Sequence, residues 1–285
     1  MAQQICSALR ESVLRLQERG IVPGLGLVRI GERPADLSYE RGAVKRAEAL
    51  GIAVSPMQLP ADASEQALLE LLFRVNREER LHGCLLFRPL PERLDTEAVR
   101  SALQPGKDVD GMTGSSLQSL AGKSGAGFPP CTAAACLALL HYHQIPLRGR
   151  HVVMVGTGKT VGFPTALMLM EEGATVSACN VFTEPARLEQ LCREADLIIS
   201  AAGKAGLIGA RHMRSGQILV DVGMSMDERG KLCGDVDEAA AERIVAGYAP
   251  VFGGVSAVTT SILVAHTVQA ALRAAGMEEK NASAF

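Results

Sequence analysis

The stretch HVVMVGTGKTVGF, His151 to Phe163, decides the fold. Val152 to Val155 form an apolar run that reads as a buried strand over 151–156. Gly156-Thr157-Gly158-Lys159-Thr160-Val161-Gly162 follows as a Gly-rich turn and opens a helix over 161–172. Glycines at such a turn permit a tight bend and let a pyrophosphate approach the helix N-terminus. A strand-to-helix turn without any ligand carries the same glycines, so context has to decide. Outward toward the C-terminus, ATVSAC (174–179), DLIISAAG (196–203) and QILVDVG (217–223) read as strands, with a helix over 184–194. That βαβαβ rhythm predicts a doubly wound nucleotide-binding domain. The run Gly158-Lys159-Thr160 is not a P-loop: that motif needs a Gly five residues before Gly158, and Val153 stands there. The ribose-binding acid expected about 20 residues further on is missing. The strand ends instead at Cys179-Asn180, where Asn180 offers an amide to a hydroxyl.

Upstream the texture changes. Leu9, Val13, Leu14 and Leu16 recur at helical spacing in a first helix, and GLGLVRIG (24–31) reads as a buried strand. A helix over 36–50, a strand over 52–59 and a helix over 63–79 follow, the last striped by Leu68, Leu69, Leu71 and Leu72. Strand 83–87 then leads into Arg88-Pro89-Leu90-Pro91. Alternating strands and helices predict a parallel sheet covered on both faces. A Cys- and Ala-rich helix is expected over 131–143 and a last helix over 258–275. From Ile244 to Leu272 no residue is charged, which is long enough to span a membrane. Gly247, Pro250, Gly253, Gly254, His266 and Gln269 interrupt that stretch, so a buried loop followed by a core helix is the expectation.

Composition bounds the function. The chain has 285 residues and a formal net charge of −2, so two domains are expected and a nucleic-acid partner is not. Aromatics make up 4% with no Trp, which excludes a stacking platform for single strands. The seven Cys include no Cys-x-x-Cys pair, so neither a disulfide framework nor a zinc site is expected and a reducing cytoplasm fits. The N-terminus lacks a basic segment followed by an apolar one, so no signal peptide is expected.

Two further constellations stand out. Lys107-Asp108-Val109-Asp110-Gly111 gathers carboxylates and a cation in a loop that could bind a polar heterocycle, or could be a solvated turn. Pro250-Val251-Phe252-Gly253-Gly254-Val255 precedes the last helix and lets the backbone pass close to something. With Pro34-Ala35, Ser38-Tyr39, Gly51-Ile52, Pro89-Leu90-Pro91, Pro130-Cys131-Thr132, Val161-Gly162-Phe163-Pro164, Ala202-Gly203-Lys204, Asp221-Val222-Gly223 and Gly234-Asp235-Val236-Asp237, the order of segments resembles one family over nearly the whole chain. That family is the bifunctional methylenetetrahydrofolate dehydrogenase/methenyltetrahydrofolate cyclohydrolase family, FolD type.

The resemblance implies an α/β protein in which an N-terminal α/β lobe faces a Rossmann-like doubly wound domain across a cleft. The folate lobe is expected over 1–127 plus 258–285 and the dinucleotide domain over 128–257. It implies a homodimer and a tetrahydrofolate substrate bound by Tyr39, Asp110, Pro89, Gly253 and Gly254. Tyr39 would stack on the pterin or aminobenzoate and Asp110 would bond the pterin edge. A dinucleotide would meet Gly156, Thr157, Gly158, Thr160, Val161, Gly162, Asn180, Ala202 and Gly203.

The departures from the family pattern matter more. In Tyr-Val-x-x-Lys the catalytic Lys falls on Ala43, since the run is Tyr39-Glu40-Arg41-Gly42-Ala43 and Gly51-Ile52 pins the alignment. Lys45 is two residues on, about 200° around the helix, and points elsewhere. Glu40 lies nearer the face of Ala43 and either leans into the site or is solvated. In Val-Gln-Leu-Pro-Leu-Pro, read here as Leu86-Phe87-Arg88-Pro89-Leu90-Pro91, Phe87 takes the place of Gln. Losing both members of a Lys–Gln pair is coherent, because a buried Gln without its partner is costly. The family's Gly-Arg-Ser becomes Gly156-Thr157-Gly158, so the Arg that meets the 2′-phosphate is gone and NAD, NADP or neither stays open.

The expectation is therefore oxidation of 5,10-methylenetetrahydrofolate by a nicotinamide cofactor with the cyclohydrolase step weak or lost. Two alternatives remain: a one-carbon transferase handing the methylene group to a second small-molecule acceptor, and a non-catalytic folate-binding paralogue.

Overall fold

The computed structural model describes residues 1–121 and 127–277. The chain divides into two units, Met1–Cys131 with the chain from Thr260 onward, and Thr132–Thr259.

The first unit contains α1 (Ala2–Gln17), β1 (Gly24–Ile30), α2 (Pro34–Glu48), β2 (Ala53–Leu59), α3 (Glu65–Arg77), β3 (Gly83–Leu86), α4 (Thr96–Ala102) and α5 (Gly114–Ala121). Its three-stranded parallel sheet has the order β2-β1-β3. Every residue of the central strand β1 is buried, whereas the outer strand β2 is largely open, so coverage on both faces does not extend to β2. Helix α1 buries Ile5, Leu9, Val13 and Leu16, while Leu14 is exposed. Leu14 sits about 100° from Val13 around the helix and so leaves the stripe. Helix α3 starts at Ser64, whose hydroxyl accepts from Ala67 N at 3.2 Å, and buries Leu68, Leu71, Leu72 and Val75. With Val28, Ile30, Leu86 and Val99 these make the aliphatic core of the unit. Burying each such side chain contributes about 1.5–3 kcal/mol.

The second unit runs from α6 (Cys131–Tyr142) through β4 (His151–Val155), α7 (Gly162–Glu171), β5 (Thr175–Cys179), α8 (Pro185–Glu194), β6 (Leu197–Ser200) and β7 (Ile218–Asp221). A two-stranded ribbon of β8 (Ser225–Met226) and β9 (Leu232–Cys233), then α9 (Glu238–Ile244) and β10 (Gly247–Ala249) complete it before α10 (Ser256–Ala274). The sheet is parallel with order β10-β7-β6-β4-β5. The chain goes outward from β4 to β5 and then crosses back to β6, so the order reverses between β4 and β6. In open α/β sheets ligands bind outside the carboxyl ends of the strands at such a reversal. The first sheet reverses in the same way between β1 and β3.

Strand β6 ends at Ser200 rather than running to Gly203, because Ala202 and Lys204 turn their N–H groups onto Asp235. The uncharged 244–272 stretch supplies the edge strand β10, a tight turn and α10. Val251–Ala274 is long and apolar enough to cross a membrane, but 72% of its most apolar window is buried within the fold, as a core helix would be.

Candidate functional site

Lys107 to Gly111 do not act as one cluster. Lys107 turns away and donates from Nζ to Val75 O and Glu78 O, each at 2.7 Å, closing the end of α3. Asp108 is fully buried and accepts from Met112 N, Thr113 N and Ser116 Oγ at 2.7–2.9 Å. It therefore ties down the turn into α5. The Val109 carbonyl accepts from His266 Nδ1 at 2.9 Å and from Cys131 Sγ at 3.1 Å. His266 is held neutral, its pKa pushed down to about 4 by burial. This leaves Asp110 alone to serve a ligand, on a loop fixed from both sides.

Asp110 belongs to a compact polar group. Arg88 Nη2 donates to Asp110 Oδ2 at 2.6 Å, and the two side chains are only 12% and 13% exposed. Tyr39 comes from α2, and its buried hydroxyl has no hydrogen-bond partner among the described residues. Burial first, then the Asp110 charge, pushes the Tyr39 phenol well above its usual value. Burial likewise raises Cys131 and Asp110, with Arg88 opposing the rise at Asp110. Phe87 meets Tyr39 edge-on, with centroids 6.0 Å apart and planes at 83°. Ala43, one helical turn beyond Tyr39, is completely buried. Glu40 is neither in the site nor solvated: it accepts from Arg29 Nε of β1 at 2.9 Å.

A cavity of about 430 Å³ opens at the carboxyl ends of β1 and β3, lined among others by Ile30, Gly31, Arg33, Phe87, Pro89 and Leu90. A larger one, about 750 Å³, lies against β2 and α3 and is lined by none of the candidate residues. Arg88 is the residue that sequence reasoning passed over. The signal was available, since a charge stands inside the apolar run from Gly83 to Pro91 and directly after a buried strand.

In the second unit, the glycines of the 156–162 turn divide by role. Gly156 has φ +91°, and a Cβ there would strike the Ala201 backbone. A Cβ at Gly162 would overlap the Gly156 carbonyl oxygen, so this glycine sets how closely α7 approaches the turn. A Cβ at Gly158 would meet nothing within 4 Å. The fold does not require Gly158, whose open side lies near the positive end of α7, the kind of place that suits an anion. Gly158→Ala is accordingly expected to weaken dinucleotide binding by about tenfold or more, with the melting temperature unchanged within about 2 °C. Calorimetric titration and thermal melts measure both.

The other candidates here are differently placed. Val161 precedes α7, and its carbonyl accepts from Thr165 N at 2.9 Å. The Ala202 N–H is committed to Asp235 Oδ2 at 2.6 Å, so it cannot serve a cofactor, while Gly203 turns with φ +67°. Asn180 Oδ1 accepts from Phe182 N at 3.0 Å, leaving its Nδ2 as the group to offer a ribose hydroxyl. Val181 and Phe182 are 90% and 88% exposed. Thr157 is half-buried and Thr160 exposed. Gly253, with φ +77°, and Gly254 form the tight turn that enters α10. Among the described residues no group of His, Cys, Asp and Glu could hold a metal, and all seven cysteines are free thiols.

Comparison with known proteins agrees with this layout. Residues 1–110 match the family model of the tetrahydrofolate dehydrogenase/cyclohydrolase catalytic domain. Residues 130–275 match that of the tetrahydrofolate dehydrogenase/cyclohydrolase NAD(P)-binding domain. The chain is 44% identical over 278 residues to the bifunctional protein FolD of Cupriavidus taiwanensis, covering 97% of this chain and 96% of that one. It is 39% identical over 272 residues to the FolD of Carboxydothermus hydrogenoformans, covering 95% and 94%. The solved structure of Trypanosoma brucei methylenetetrahydrofolate dehydrogenase-cyclohydrolase, complexed with NADP and an inhibitor, superposes with a TM-score of 0.91. That pair shares 32% identity over 96% of this chain and 95% of that one.

Proposed function

The chain belongs to the tetrahydrofolate dehydrogenase/cyclohydrolase family, and from that premise we propose that it oxidises 5,10-methylenetetrahydrofolate to 5,10-methenyltetrahydrofolate, prefers NAD over NADP, and has lost the cyclohydrolase step. It is an enzyme of folate one-carbon metabolism with a nicotinamide cofactor. The observation that carries the proposal is the pair Ala43 and Phe87, both buried, the ring against Tyr39.

Opening the methenyl ring needs a water activated by proton transfer, and a positioned acid or base is typically worth about 10²–10⁴-fold. A methyl group at position 43 and a phenyl ring at position 87 move no proton. Both instead make the site more apolar and less hospitable to water. Hydride removal from the methylene carbon needs no protein base, because the nicotinamide, when bound, supplies the hydride acceptor. What the protein must do is orient. Tyr39 offers a ring face for the folate, and Asp110 offers carboxylate oxygens to the amine and amide edge of the pterin. The folate lobe is then 1–127 with 258–285 and the dinucleotide domain 128–257, the latter cradling the cofactor at Gly156 to Gly162.

The preference for NAD rests on the positions where a 2′-phosphate would need cations. Thr157 replaces Arg, and the residues after β5 are Asn180, Val181 and Phe182. Setting a phosphate dianion against two exposed apolar side chains removes hydration without offering an ion pair. A homodimer and a cytoplasmic setting are carried over from the family alone, and light scattering tests the first.

The test is a spectroscopic assay with methylenetetrahydrofolate and either NAD⁺ or NADP⁺. Methenyltetrahydrofolate is expected to accumulate and to decay at the buffer rate, with kcat/KM for NAD⁺ above that for NADP⁺ by about tenfold or more. Failure to form methenyl product with either cofactor defeats the dehydrogenase proposal.

A further inference from the structure

Arg88 stands where the family run Val-Gln-Leu-Pro-Leu-Pro carries Leu, and it brings a permanent charge to a largely buried place beside Asp110. A guanidinium does not deprotonate in proteins, so it cannot replace Lys as a relay. It can fix the charge and direction of a neighbouring carboxylate. Resting on the folate reading above, we infer that Arg88 is a positioning residue: bonded at 2.6 Å to Asp110 Oδ2, it keeps this buried carboxylate ionised and aimed to accept hydrogen bonds from the pterin edge.

The surroundings make such a partner necessary. Burial favours the neutral form of Asp110, and Asp108, just behind it, adds a second negative charge. The Cys131 thiol and the Tyr39 phenol also face Asp110, and both stay neutral because burial raises them. Arg88 is the cation that opposes these effects at Asp110. A carboxylate has about four acceptor sites, so one bond to Arg88 leaves others for a ligand. Once protonated, the same group would present an O–H toward the N–H groups of the pterin and lose most of its ability to read them. Arg88 thereby also selects ligands: those presenting donors gain from Asp110, and those presenting acceptors are rejected.

The experiment titrates the full-length protein with 5-formyltetrahydrofolate, a stable reduced folate, by calorimetry between pH 5 and 8.5. Native protein is compared with Arg88→Met, which keeps an aliphatic stem, and with Arg88→Lys. Comparison at equal pH cancels the titration of the ligand. In R88M the pH at which binding is half lost is expected to rise by about one unit or more, with binding at pH 6 weakened about tenfold. R88K should restore the native midpoint. Coincident midpoints in native protein and R88M, or tighter binding by R88M at every pH, overturn the inference. Native binding already half lost at pH 7 overturns it without any variant, which covers the case of R88M failing to fold. No binding by native protein at any pH defeats the folate reading itself, whereas binding with unshifted midpoints defeats only the role of Arg88.

Discussion

Introducing Lys at position 43 together with Gln at position 87 is expected to raise methenyltetrahydrofolate hydrolysis by about 10²–10⁴-fold over the native protein, the usual worth of a positioned proton-transfer group. The two changes have to be made together. Lys alone places an ammonium at a completely buried position one helical turn from Tyr39, at the full cost of its desolvation. Gln alone leaves a buried amide without its partner, at about 1–3 kcal/mol. Each single variant is therefore expected to melt below the native protein and to stay inactive as a hydrolase, so the gain is non-additive. Stopped-flow decay of the methenyl absorbance measures the rate, and calorimetry measures the melting. A double variant that folds, binds folate and still hydrolyses at the buffer rate would show that Ala43 and Phe87 are not what removed the activity.

Asp235→Ala is expected to destabilise the dinucleotide unit by about 3 kcal/mol or more, counting about 1–3 for each of the three donors left unpaired. Three donors converge on this fully buried carboxylate: Ser200 Oγ at 2.8 Å, Ala202 N at 2.6 Å and Lys204 N at 2.8 Å. They shape the turn at the carboxyl end of β6, beside the point where the strand order reverses. Dinucleotide binding should weaken with the loss of stability. Asp235→Asn should cost less, because its carbonyl keeps part of the acceptance and its neutrality relieves Asp221. That second buried carboxyl accepts from Asp235 N and Val236 N at 3.1 Å, and burial, with Asp235 adding to it, pushes it up to about 7. Denaturant unfolding separates the variants. An alanine variant as stable as the native protein would mean that water satisfies those donors and that the site is not closed.

Much of the protein is legible in its sequence. The 151–163 stretch announces strand, turn and helix because apolar periodicity and glycine placement are local properties. The order of short motifs fixes the family, and the departures at Ala43, Phe87 and Thr157 need only an alignment of spacing. Some local elements were less visible. Helices α4, α5 and α9, together with the short strands β8, β9 and β10, are two to eight residues long and carry too few apolar positions to reveal a period.

Tertiary structure alone decided what each charge does. Lys107, Asp108 and Asp110 are neighbours in sequence, yet one closes a helix, one ties a turn and one pairs with Arg88. Arg88 and Asp110 are 22 residues apart, and nothing in either segment names the other as its partner. Glu40 finds Arg29 only because folding brings residues of α2 and β1 together. Composition and periodicity mark out most of the aliphatic core, since the hydrophobic effect is non-directional and follows residue type. Ionic and hydrogen-bonded partners depend on distance and direction between atoms that the chain brings together only by folding, and those partners set the protonation and aim on which the chemistry rests.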